Sequence, residues 1–350
     1  MKIATNLEDR QDKLITVCFV SNIPEPAKEY ILDKLKPIEN IKVLFSAKTS
    51  ERSLSNLVKD ADIVVGWRPS EKLFSVAPKM KLFINPGAGI QPLLKLFRKE
   101  NEKRKVLLIN GHGNSYFVAQ HAVALLLTLM NKIIPHHQWM QEGKWRTGDE
   151  EAPSLPLRFK KVGFLGYGAI NQKIHRFLQG FNVEFAILRR HWEKQTSPLP
   201  IKVKKFEFSQ LPEFLKFCDI LFVAIPLTSQ TKGLIRKKEL EFLGTKGLVI
   251  NVARGEIIDE ESLYDSLKEN IISGAAIDVW YDYTPNSDEE GRKYPFHFPF
   301  HKLDNIILSP HRGYSPFNDL LRWDEIIENI KRMALGRTDF MNIVNLDEEY

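Results

Sequence analysis

Four residues at equivalent places in the second half of the chain carry most of the chemistry this sequence can perform. Arg254 follows the apolar run LVINVA, Asp278 lies inside AAIDVW, His311 follows NIILSP, and Pro226 follows DILFVAI. If those runs are neighbouring parallel strands, their carboxyl ends bring a guanidinium, a carboxylate and an imidazole to one edge, where open α/β sheets bind their ligands. An imidazole exchanges protons near neutral pH. A planar, permanently charged guanidinium grips carboxylates through several donors. Such groups are rarely buried unpaired in a packed core, so a site is the economical reading. The bland alternatives are an ion pair for Arg254, a loop cap for Asp278, and a structural or exposed His311.

A second constellation lies upstream, in VGFLGYGAIN at 162–171. An apolar strand runs into Gly166 and Gly168, and a helix with Ile170, Ile174, Phe177 and Leu178 on one face follows, ended by Gly180. In a dinucleotide site the first glycine makes the tight turn and the second lets the backbone approach the pyrophosphate at the helix N-terminus. The third glycine of the fingerprint is Asn171 here, which weakens close helix–strand packing but leaves the phosphate contacts available. At the end of the next strand an acid would grip the 2′-hydroxyl of NAD, yet the residues are Arg189, Arg190 and His191. Two arginines there suit the 2′-phosphate of NADP. The competing reading is a solvated basic turn.

The elements that must position these groups are legible as alternating strand and helix signals. Strands are expected at 16–21, 41–45, 62–67, 81–85 and 106–110, then at 162–165, 183–187, 220–225, 248–251, 275–279 and 306–308. Helices are expected at 26–35, as a short turn at 71–74, and at 120–134, with a loop at 143–158. Alternation at these spacings predicts an α/β fold of two doubly wound parallel-sheet domains, because parallel neighbours need crossovers.

A length of 350 residues accommodates two such cores. The hydrophobic and charged fractions, 43% and 27%, exclude disordered and fibrous classes. The longest apolar stretch, 122–130, falls far short of the roughly 20 residues a membrane span needs. The first thirteen residues lack the apolar run of a secretory signal, so a cytoplasmic protein is expected. Cys18 and Cys218 sit in apolar runs and read as buried hydrophobes. The charge of +6 favours anionic partners, but the basic residues are scattered, so small anions are expected and nucleic acid is not. His297 and His301 in YPFHFPFH have intervening prolines and no nearby cysteine, so an aromatic packing loop is expected and no metal.

NVARGEIIDEESL at 251–263, with its spacing to AAIDVW, resembles the arginine signature of the D-isomer-specific 2-hydroxyacid dehydrogenases. VAIPLTSQTKGLI at 223–235 and SPH at 309–311 resemble further motifs of that family, and INPGAGI at 84–90 and GNSYFVAQHAVALLL at 113–127 extend the likeness into the first half. The resemblance implies a flavodoxin-like substrate domain, residues 1–114 and 312–350, with a Rossmann nucleotide-binding domain inserted at 115–311. It implies hydride transfer between NAD(P)H, with NADP favoured, and a small anionic 2-keto or 2-hydroxy acid. His311 would be acid in reduction and base in oxidation, Arg254 would clamp the substrate, and the amides of Gly89 and Ile90 would cradle its carboxylate. The cofactor would meet Gly166, Gly168, Ala169, Ile170, Arg189, Arg190, Pro226, Thr231, Ala253 and Asp278. A homodimer is also implied, with the helix around 122–130 near the interface, although burial within one subunit accounts for that helix equally.

Two positions depart from the pattern. The family places a glutamate five residues after the equivalent of Asp278, where it bonds the histidine and raises its proton affinity; here that residue is Tyr283. Asp282, one residue earlier, is the expected replacement partner of His311. Gln120 stands where the helix motif has an acid. Without a negative partner the imidazolium loses stabilisation, so a nucleotide-binding regulatory protein with little turnover is the alternative reading.

Overall fold

The computed structural model describes residues 14–48, 50–146, 148–193, 199, 202–316 and 318–350; the N-terminal stretch read above for a secretory signal lies outside them. The chain divides into two compact units, one running to Asn114 and resuming at Pro316–Tyr350, the other Ser115–Ser315.

The first unit carries β1 (Ile15–Phe19), α1 (Glu25–Leu35), β2 (Ile41–Phe45), α2 (Glu51–Val58), β3 (Ile63–Val65), α3 (Glu71–Val76), β4 (Leu82–Asn85), α4 (Gln91–Asn101) and β5 (Leu107–Asn110). All five strands are parallel in the order β2-β1-β3-β4-β5, the flavodoxin-like winding. Their apolar runs are continuous because both faces are covered. Cys18, Val64 and Phe83 face one cluster with Phe74 and Phe97, while Val17, Ile63, Leu82 and Ile84 face another. The last helix of the chain, spanning Asp324–Ala334, brings Ile326, Ile327 and Ile330 into that second cluster. Val344 then donates its amide to Leu108 beside β5.

The second unit contains α5 (Ser115–Met130), α6 (Ile133–Gln141), β6 (Lys161–Leu165), α7 (Ala169–Leu178), β7 (Glu184–Leu188), β8 (Val203–Phe206), α8 (Leu211–Phe217), β9 (Ile220–Val223), α9 (Lys237–Leu243), β10 (Leu248–Asn251), α10 (Glu260–Lys268), β11 (Gly274–Ile277) and β12 (Ile306–Leu308). The helix at Asp324–Ala334 is α11. The seven strands are parallel in the order β12-β11-β10-β9-β6-β7-β8. Winding runs outward from β6 through β8, then returns to β9 on the other side of β6, so the crevice for a ligand lies at the carboxyl ends of β6 and β9.

Several local expectations need correction. β8 was not expected, because its sequence VKKF reads as charged; Lys204 and Lys205 are exposed on an edge strand, where lysine guards an open sheet edge. Gly180 does not end α7: the helix stops at Leu178, a tight turn spans Gln179–Phe181, and Asn182 takes the left-handed conformation (φ 53°). The single helix expected at 120–134 is two, broken where Lys132 turns left-handed and bent by 65°. Among the described residues no single helix is long and apolar enough to cross a membrane, and α5 already buries Ala122, Leu125, Leu126, Leu129 and Met130. The second unit also runs four residues beyond the expected 311/312 boundary, because the turn after His311 is bonded to Asp278.

Candidate active site

The turn between β6 and α7 is built as a phosphate loop. Gly166 has φ 79°, and a Cβ there would lie 2.4 Å from Ile225 Cγ2 and 3.1 Å from the Ala224 carbonyl oxygen. At Gly168, the N-cap of α7, a Cβ would meet nothing within 4 Å. The first glycine is therefore demanded by the fold, and the second keeps open space in front of the helix N-terminus, where the amides of Ala169 and Ile170 begin the positive end. This cradle fits a pyrophosphate. Asn171 does not loosen the packing as expected: fully buried, it donates Nδ2 to the carbonyls of Leu165 and Gly166 and so ties helix to loop.

At the end of β7, Arg190 donates to Gln230 Oε1 at 2.6 Å and lies over the Phe208 ring, while Arg189 lies over Trp192. The acid in this turn, Glu193, bonds His191. Pro226 and Thr231 sit in the turn after β9. Thr231 is buried, its hydroxyl donating to the Pro226 carbonyl and accepting from the Thr228 amide. That hydroxyl braces the turn in which Pro226 and Thr231 sit. Ala253, after β10, is buried and bonded to Asn251 Oδ1.

Asn251 also holds the Arg254 carbonyl through Nδ2, and this pair of bonds aims the arginine away from the strand end. The guanidinium is half-buried and donates to the Ala253 carbonyl at 2.6 Å; among the described residues no carboxylate pairs with it. Burial lowers its proton affinity, opposed by Tyr283 and Glu256. A cation kept partly from water and in no direct ion pair is suited to receive an anion.

Asp278 lies just past β11 and is nearly fully buried. It accepts from the Ser309 hydroxyl at 2.5 Å and from the amides of Arg312 (2.7 Å) and Gly313 (2.9 Å), with His121 Nε2 at 3.4 Å. Burial pushes its carboxyl up, but the bonds from His121, Ser309 and the two amides outweigh that, and it lies below the usual range. Asp278 thus caps the turn that carries His311, which is held left-handed at φ 55°.

His311 does not meet Asp282. The Asp282 carboxylate accepts from the Thr284 amide and hydroxyl, a local turn of its own. The partner is Tyr283, whose hydroxyl lies 2.8 Å from His311 Nδ1. Burial lowers the proton affinity of His311; Asp278 raises it and Arg254 lowers it further. His121, Ser309 and Gln230 were missed as site residues. All three lie inside the family-like motifs of the sequence, but the bonds of His121 and Ser309 to Asp278 and of Gln230 to Arg190 are visible only in the fold. His297 bonds Glu260 and His301 stacks on Tyr294 within the aromatic loop.

In the first unit, Gly89 and Ile90 end the loop after β4 and lead into α4. Asn85 donates to the carbonyls of Gly87 and Gly89, and Asn110 to that of Ala88, which hold the loop in place.

A doubly wound sheet with a glycine cradle at its switch point, and a guanidinium and an imidazole at the adjoining strand ends, defines a dinucleotide-dependent class of protein. The chain belongs to the D-isomer specific 2-hydroxyacid dehydrogenases: residues 123–313 match the family's NAD binding domain. It is 29% identical over 269 residues to a glyoxylate reductase of Pyrococcus furiosus, covering 74% of this chain and 75% of that one. It is 27% identical over 329 residues to a D-3-phosphoglycerate dehydrogenase of Archaeoglobus fulgidus, covering 93% of this chain but only 59% of that longer protein. The fold matches a D-isomer specific 2-hydroxyacid dehydrogenase from Xanthobacter autotrophicus, solved with NADPH and MES, at TM-score 0.75, 23% identity and 96% and 100% coverage.

Proposed function

We propose that this protein reduces a small anionic 2-keto acid with NADPH, or NADH, and runs the reverse oxidation of the D-2-hydroxy acid. The observation that carries the reading is the half-buried guanidinium of Arg254, in no ion pair with a carboxylate of the described residues and in the same unit as the glycine cradle and His311. The nicotinamide, when bound, supplies or accepts the hydride. Gly166, Gly168, Ala169 and Ile170 would hold the pyrophosphate, and Pro226, Ala253 and Asp278 the nicotinamide end. Arg189 and Arg190 would meet a 2′-phosphate.

The chain's own work is electrostatic and protonic. Arg254 binds the substrate carboxylate and polarises the carbonyl, stabilising negative charge as it develops on oxygen. His311 delivers a proton to that oxygen in reduction and removes it in oxidation. The backbone of Gly89 and Ile90 is assigned to the carboxylate as well. The alternative, nucleotide binding without turnover, is favoured by one observation: among the described residues no carboxylate bonds His311.

The deciding experiment follows oxidation of NADPH and NADH against glyoxylate, hydroxypyruvate and other short 2-keto acids, with His311→Ala as control and an Arg189→Ala, Arg190→Ala double variant. Turnover that prefers NADPH, vanishes in the control and loses its preference in the double variant is expected. Cofactor binding without turnover on any acid would establish the alternative, and equal use of both cofactors would remove the role given to the arginines.

A further inference from the structure

Resting on the reading of His311 as acid and base, we propose that Tyr283 is its positioning residue: an uncharged phenol, 2.8 Å from Nδ1, stands where the family has a carboxylate. The loop that carries it is held on several sides. The Tyr281 and Asp282 amides bond the Pro295 carbonyl, the Tyr281 hydroxyl bonds that of Ile258, and Trp280 Nε1 bonds that of Ser309. The Trp280 amide donates to the Tyr283 oxygen at 3.4 Å. The aromatic loop at 294–300 supports this turn, with Phe296 and Phe300 packed on Trp280. The long loop after β11 thus acquires a purpose, the placement of one hydroxyl.

The chemistry of that hydroxyl differs from a carboxylate's. A carboxylate only accepts, so it fixes the proton on Nδ1, leaves Nε2 for substrate, and stabilises the imidazolium by charge. A phenol both donates and accepts. It can bond either neutral tautomer and the cation, but lends the cation no charge. The groups facing His311 are Tyr283, Tyr314 with its ring 5.4 Å away, Asp278 and Arg254. Burial and Arg254 oppose the cation and Asp278, already bonded four ways, supports it, which leaves the proton affinity below that of a free histidine. Reduction needs the imidazolium, so its rate rises as pH falls through the lowered value. Oxidation needs the neutral ring and holds its rate down to more acidic pH than a carboxylate-paired histidine would allow.

A phenol reaches farther from the backbone than a glutamate side chain, so Tyr283→Glu is a poor mimic of the family, and Tyr283→Phe is the informative change. It keeps the ring and removes one oxygen. Because a bond to a charged donor is stronger than one to a neutral donor, its loss penalises the imidazolium more than the neutral ring. Two readouts separate this proposal from the functional reading. The first is the His311 ring, titrated by nitrogen-15 NMR in wild type and Tyr283→Phe, with the signal assigned by its absence in His311→Ala. The Phe variant is expected to titrate about half to one pH unit lower with altered Nδ1 and Nε2 shifts; superimposable curves and shifts overturn the pairing whether or not the protein turns over. The second is the pH dependence of keto-acid reduction. The Phe variant should show kcat reduced about tenfold, KM changed little and the alkaline limb, where reduction fails as His311 loses its proton, moved to lower pH. Unchanged kcat and pH profile with a normal melting curve would reduce Tyr283 to a surface residue.

Discussion

Arg254 and His311 reach the site by different physics. The backbone at Arg254 is held by Asn251, which donates to the Arg254 carbonyl and accepts from the Ala253 amide, and its half-buried guanidinium pairs with no carboxylate among the described residues. His311 is set by Asp278, which holds the following turn through two amides and a serine. Arg254→Lys keeps the charge but loses the planar fork, so kcat/KM for keto-acid reduction should fall by about a hundredfold or more, measured by initial rates. A fall of less than threefold would mean that a point charge suffices. Arg254, Asp278 and His311 could be picked out of the sequence because each follows an apolar run. The partner of His311 could not: Asp282 and Tyr283 are adjacent, and which of them faces the imidazole depends on Asp282 closing a turn onto Thr284.

Among the elements, the β6–turn–α7 unit has the least tolerance. Replacing Gly166 by alanine forces an L-residue into φ 79°, which alone costs about 1–2 kcal/mol, and places Cβ 2.4 Å from Ile225 Cγ2. Gly168→Ala meets nothing in the fold itself and fills only open space before the helix N-terminus, the proposed seat of the phosphate. Thermal melting with and without NADPH distinguishes them: Gly166→Ala should lower Tm outright, whereas Gly168→Ala should keep the Tm of the free protein and lose the shift on adding cofactor. A Gly168→Ala protein that retains the full shift would remove the cradle from the site. The glycines were legible from their place between an apolar strand and a helix. The welding role of Asn171 was not, since it depends on where the Leu165 and Gly166 carbonyls point.

At the scale of the whole molecule, the homodimer that the family resemblance implies is a proposal that needs an exposed apolar surface. The stretch 122–130 is largely buried within its own unit, whereas α6 buries none of its residues and exposes Ile133, Ile134 and Met140, with Trp145 beyond it 73% exposed. A homodimer through this surface would elute at twice the chain's mass, and Ile134→Glu with Met140→Glu should shift it to the monomer; a monomeric wild type would end the proposal. By itself the sequence determined the class of fold, the winding of two parallel sheets, the glycine turn and the strand-end cations, because apolar periodicity and turn chemistry are local properties. Only the tertiary structure decided that Tyr283 meets His311, that Asp278 anchors its turn, that Lys204 and Lys205 belong to an edge strand, and that Asn171 ties α7 to the glycine turn. Those outcomes depend on groups far apart in the chain competing for the same donors and acceptors, and no local pattern records who wins.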